Sequence, residues 1–173
     1  MRDILGQIIG ILALLVTIIC YQLNSQKKIL IAQIVASSLF ILNLALLGAI
    51  SGALLNVHGI CRALIFYQKE KHPWARSNLW VLFFILAAAA ITFFTYQSWV
   101  DILPFVGTVF TTIALSMTDA GKIRLLTLPS PPCWLTYHLL NGNIGGTLNE
   151  IFVIGSVLVG MLRLDRKKNP DKK

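Results

Sequence analysis

From Ile4 to Leu23 the chain carries almost nothing but apolar side chains. Wound as a helix, that stretch is about 30 Å long, the thickness of a bilayer's hydrocarbon core. Six more apolar runs follow, at Ile29–Leu47, Ile50–Tyr67, Leu79–Tyr96, Ile102–Met117, Ile123–Leu140 and Ile144–Leu164. A water-soluble fold of 173 residues has too little interior to cover them all. Only 13% of the residues are charged, about half the share of an average soluble domain, so part of the solvent must be lipid. These runs describe an all-α membrane protein with seven spans. For the first run a cleavable leader competes, but Thr17-Ile18-Ile19-Cys20 lacks the small residues of a cleavage site, so a retained span is expected.

Seven crossings put the first, third and fifth connections on the same side as the C-terminus. Of the 15 Lys and Arg residues, only Arg2 and Arg62 lie elsewhere. Basic residues accumulate on the cytoplasmic side, which places the C-terminus in the cytoplasm and the N-terminus outside. The net charge of +8 is confined to these short connections, so no nucleic-acid partner is expected. Trp80, Tyr96 and Trp99 at the ends of the fourth run suit the interfacial aromatic belts. Cys20, Cys61 and Cys133 fall inside apolar runs at spacings that match no zinc or disulfide framework, and no cofactor is implied.

The stretch Asn141 to Glu150 opens the last span, and Glu150 is the one carboxylate within any apolar run. A second copy of its pattern stands 94 positions earlier. Ile50 meets Ile144, Gly52 meets Gly146, Asn56 meets Glu150, and Lys28 meets Lys122. This divides the chain into a first three-helix repeat (residues 1–68), a basic loop plus linker helix (69–98), a second repeat (99–164) and a basic tail (165–173). Two halves of like orientation are the parallel-repeat plan of some transporters.

Leu103-Pro104-Phe105-Val106-Gly107-Thr108, the Cys133-Trp134 pair, and Gly142-Asn143-Ile144-Gly145-Gly146-Thr147 followed by Glu150 resemble the YgjV-type bacterial inner-membrane protein family. The resemblance covers nearly the whole chain and is strongest from Leu103 to Arg163. It implies a multi-pass protein of the bacterial inner membrane. Grouping with the SWEET and PQ-loop transporters further implies a three-one-three helix plan. The chain has no Pro-Gln pair, and Gln7 stands where the second half has Pro104; the helix plan is therefore carried over, and a sugar substrate is not.

Glu150 stands about 9 Å below the outer end of its span. A charge near the bilayer centre costs about 2.5–3.5 kcal/mol on insertion scales, so it requires protonation, a partner or a wet cavity. Arg62 is the one cation at comparable depth. Either the two belong to a substrate or proton site, or they form a salt bridge locking the third and seventh spans together. Asn56, the mate of Glu150, faces it across the pseudo-axis in this scheme, either binding solute or bonding a neighbouring helix. Asn149 and His138 complete the candidate set. His58 and His138 are each alone on their spans, and metal binding would need a third ligand. Pro104, Pro129, Pro131 and Pro132 mark helix breaks of the kind found in transporter gates, or simple kinks.

No nucleophile has a base beside it, so no enzyme is expected. The expected function is a facilitator or proton-coupled carrier of a small polar solute. The rival is a non-transporting membrane scaffold or assembly partner. With both halves in one chain, a monomer and a homo-oligomer are both compatible with this plan.

Overall fold

In a computed structural model, which describes residues 2–165, every regular element is helical. The α-helices are α1 (Arg2–Cys20), α2 (Gln26–Leu46), α3 (Ile50–Tyr67), α4 (Leu79–Thr95), α5 (Ile102–Ser116), α6 (Ala120–Thr127), α7 (Ser130–Leu140) and α8 (Ile144–Gly160). Single 3-10 turns occupy Gln68–Glu70, Pro73–Arg76 and Trp99–Asp101, and a π turn, Met161–Asp165, closes the last helix. The expected basic tail lies, from residue 166 on, outside the described residues.

Four helical stretches are long and apolar enough to cross a membrane: Gln26–Leu46, Ile50–Tyr67, Trp99–Ser116 and Ile144–Leu164. Ile4–Cys20 and Leu79–Thr95 are apolar but shorter. The first run ends as a helix at Cys20 because Gln22 and Leu23 turn back onto Ile19 and Cys20. The sixth run is two helices. Pro129, Pro131 and Pro132 lack N–H donors, so the ladder of α6 stops and α7 starts afresh with prolines in its first turn, where no donor is needed. Pro104 departs from its expected role. It is buried in the first turn of α5 and breaks nothing, because that turn's N–H groups have no intrahelical acceptor.

Glycine decides where α2 and α7 stop. Gly48 and Gly142, 94 positions apart, adopt φ +77 and φ +64, a left-handed conformation open to glycine at little cost. The following residues bond back five positions, Ala49 to the Leu44 carbonyl and Asn143 to that of His138, both at 2.9 Å. α3 and α8 thus begin from the same device. Asn143 adds a cap of its own, accepting from the Gly146 amide at 2.9 Å.

The helices close a ring. α1 packs on α2, α2 on α3, α3 on α5, α5 on α6 and α7, α7 on α8, and α8 returns to α1; α4 lies outside against α3 and α5. At the α1–α8 seam, Gly10 and Gly145 touch. A Cβ on Gly145 would stand 3.1 Å from the Cα of Gly10. Beside it, Asn43 donates to the Gly6 carbonyl at 2.9 Å and accepts from Asn143 at 3.0 Å, with no solvent exposure. Asn43→Leu strands the Gly6 carbonyl and the Asn143 amide, and should cost about 2 kcal/mol in thermal denaturation of the purified protein. A variant as stable as wild type would show that those bonds do not form.

The exterior is apolar, and the interior combines an apolar core around Ile29, Leu30, Phe66, Leu115 and Val157 with a set of buried polar residues. Ile4, Ile8, Ile11, Leu15 and Ile19 form an exposed stripe on α1, and α4 buries only Phe84, Ala88 and Thr92 while exposing Leu82, Phe83, Leu86 and Phe93. In water such a surface would aggregate; against lipid it costs nothing. Buried polar residues gather instead on the inner faces of α2, α3, α5 and α8.

At one end of the ring, cations cap helix C-termini. Arg124 of α6 is fully buried and donates to the carbonyls of Tyr21 and Leu23 at 3.1 and 3.0 Å. Lys69 donates to the Ser116 carbonyl at 2.9 Å and lies 4.7 Å from the centre of the Phe66 ring. Burial holds its ammonium below the usual lysine range. Gln26 reaches the Leu115 carbonyl. These bonds gather three of the basic connections at the same end.

Candidate functional site

Inside the ring lies a cavity of about 100 Å³, room for several waters or one small solute. Of the residues singled out in the sequence, Glu150, Asn56, Arg62, His138 and Asn149 all line it, and so does Pro131; Pro104, Pro129 and Pro132 do not. Helix geometry brings the set together. Asn56, Gly59 and Arg62 recur at three-residue spacing on one face of α3, while Asn149, Glu150 and Val153 share a face of α8.

Arg62 is buried and reaches across to α5, donating to Thr112 Oγ1 at 2.6 Å and to the Thr108 carbonyl at 3.3 Å. Its Nε has no partner. Glu150 accepts from Asn149 Nδ2 at 2.9 Å. Those are their hydrogen bonds; no ion pair within 4.0 Å joins them, so the salt bridge between the third and seventh spans is absent. Tyr21 also lines the cavity, its hydroxyl accepting from Gln33 at 3.0 Å.

Asn56 turns its amide back to the Gly52 carbonyl at 3.0 Å, leaving its oxygen free of that bond. His138 is stacked against Trp134 and Phe40. Because the Asn143 oxygen is occupied by the Gly146 amide, its nitrogen donates to His138 Nδ1 at 3.2 Å. An accepting Nδ1 puts the ring proton on Nε2. His58 is elsewhere, bonding the Phe84 carbonyl at 2.9 Å and packing edge-on against its ring, which ties α3 to α4.

One further buried polar atom on a residue that lines the cavity, Asn149 Oδ1, has no hydrogen-bond partner. Buried polar groups are rarely left so. With Arg62 Nε it makes two unsatisfied atoms on lining residues, and a wall carrying an arginine, a glutamate and two asparagines favours a polar occupant over an apolar one.

The wall also repeats itself. Lining residues pair at a separation of 94: Thr17 with Thr111 on the first helices; Gln33 with Thr127, Ala36 with Ser130, Ser37 with Pro131 and Phe40 with Trp134 on the second; Leu55 with Asn149, Asn56 with Glu150 and Gly59 with Val153 on the third. Left unmatched are Cys20, Tyr21, Arg62, Thr108 and His138. Of the paired positions, the sequence had offered only Asn56 with Glu150 as a site pair. Gln33, Phe40, Trp134 and the threonines were missed, although the same offset that pointed to Asn56 would have found them.

A profile of the family described as "Bacterial inner membrane protein" (Imp-YgjV) matches residues 4–168. Over 147 residues, covering 84% of this chain and 76% of the relative, the sequence is 26% identical to the inner membrane protein YgjV of Escherichia coli strain K12. No solved structure matches. With its profile spanning nearly the whole chain and apolar helices throughout, this protein belongs to the YgjV family of bacterial inner membrane proteins.

Proposed function

We propose that this protein is a transporter, a facilitator or proton-coupled carrier of a small polar solute across the bacterial inner membrane. The observation that carries this reading is the cavity, a two-fold-repeated wall of mixed polar and apolar residues, drawn from six crossings whose outer faces are apolar. In this scheme α6 and α7 together make one crossing, so the chain crosses seven times. Residues 1–68 and 99–164 form the two halves, with residues 69–98 as linker. The contacts support it, since α1–α8 and α3–α5, the two seams between halves, are mates under the same exchange. Gathering of the basic connections at one end favours a cytoplasmic C-terminus. The scaffold alternative predicts an Arg62–Glu150 pair, and the separate hydrogen bonds of the two residues weigh against that prediction.

Purified protein reconstituted in vesicles should exchange a labelled solute from a panel of amino acids, polyols and organic acids, and Glu150→Gln should reduce that flux at least about tenfold, the loss of one buried charge contact. If Glu150 also carries the coupled proton, wild-type flux varies with external pH and the flux remaining in Glu150→Gln does not. A panel in which no solute exchanges would remove the transport reading.

A further inference from the structure

We infer that the occupant of this cavity is a small zwitterion, its anionic end toward Arg62 and its cationic end toward Glu150. The inference rests on the transport reading for what the site does, and on the walls alone for what it binds. Among the described lining residues, Arg62 and Glu150 are the two of opposite formal charge, which sum to zero once Glu150 is ionised, the form that a cationic group placed beside it favours.

The two charges are kept apart by the fold. Arg62 is pinned to α5 by Thr112 and the Thr108 carbonyl. Glu150 is engaged by its own neighbour Asn149 on α8. An unpaired cation and an unpaired anion facing one small cavity are satisfied together by a solute that carries the complement of each. A neutral polyol leaves both without a counter-charge, and a simple anion or cation leaves one.

The frame around them is symmetric and the charges are not. Eight pairs of lining residues obey the 94-residue offset, which alone would make a cavity with two like ends. The charged positions break it: Arg62 corresponds to Ser156, which bonds Ile18 and Gln22 instead of facing the cavity, and Glu150 corresponds to the neutral Asn56. The site is therefore polar along the line from α3 to α8. A dipolar solute bound there bridges the two halves, since each charge comes from the third helix of a different one.

The test is binding to the full-length purified protein, read by thermal shift and calorimetry. The probes are glycine, β-alanine and γ-aminobutyrate as zwitterions of increasing charge separation, with acetate, methylammonium and glycerol as controls. One of the zwitterions should bind about tenfold or more tightly than each control, the difference one charge contact makes. Arg62→Gln and Glu150→Gln should each abolish that preference. Arg62 also ties α3 to α5, so the wild-type selectivity alone decides the matter if that variant fails to fold. Glycerol or a single ion bound as tightly as the zwitterions would overturn the inference, as would a complete lack of binding. Vesicle exchange separates the two claims. A zwitterion that binds without crossing removes transport and leaves the ligand class, whereas glycerol flux without zwitterion binding does the reverse.

Discussion

Arg124→Met should lower the stability of the purified protein by about 3 kcal/mol, the loss expected when a charged donor to several buried carbonyls is removed. Arg124 has no exposed surface and donates to the Tyr21 and Leu23 carbonyls and to Asn24 Oδ1. These acceptors sit where α1 has ended and its last carbonyls have no helical donor. Methionine keeps the apolar stem but offers nothing to them. Gly160 is part of the same arrangement. A Cβ there would stand 2.8 Å from the Tyr21 carbonyl and 3.0 Å from Arg124 Nε, so glycine is what lets the guanidinium lie between α1 and α8. The control is Lys122→Met, an exposed cation two positions away, which should change stability by less than about 0.5 kcal/mol. Equal melting of the two variants would mean that Arg124 does not hold the end of α1.

Gly146→Ala should be the second severe change, and it reaches the site directly. The added Cβ would lie 2.5, 2.6 and 2.7 Å from three atoms of the His138 ring, far inside contact distance. His138 has little room to yield, being stacked on Trp134 and Phe40 and bonded through Nδ1 to Asn143. Overpacking of this kind costs about 1–3 kcal/mol, or roughly 2–4 °C of melting temperature per kcal/mol at this chain length. Gly155→Ala is the matched control, because nothing lies within 4 Å of its Cβ position. Solute exchange should fall in Gly146→Ala even at temperatures where it remains folded, since displacement of His138 changes the cavity wall. Normal melting together with normal exchange would place His138 differently from the ring described above.

Several conclusions were available from the residues in order. Apolar runs of membrane length required helices, because lipid offers no partner to an unpaired backbone group. Prolines at 129, 131 and 132 required an interruption, since that is a rule about single residues. The 94-residue offset was legible because it is a property of order. From Glu150 alone that offset led to Asn56, and both line the cavity.

The tertiary structure decided what each polar group meets. Arg124 reads in sequence as one more loop cation among those that orient the chain, and among the described residues it is the largest side chain with no exposure. Nothing local distinguishes it from Lys122; the difference is that Arg124 lies on the inner face of a short helix beside carbonyls a hundred residues away. Arg62 and Glu150 invited pairing as the two charges at depth, but depth along a helix leaves azimuth undetermined. Arg62 turns to α5 and Glu150 to its neighbour, so the same two residues that would have closed the bundle leave a gap between opposite charges. Pro104 shows the converse: its chemistry is that of a helix breaker, and its position in a first turn makes it harmless. Order along the chain determined which stretches face lipid and which residues repeat. Only packing decided which charges remain unpaired, because that depends on distances between helices that no local pattern encodes.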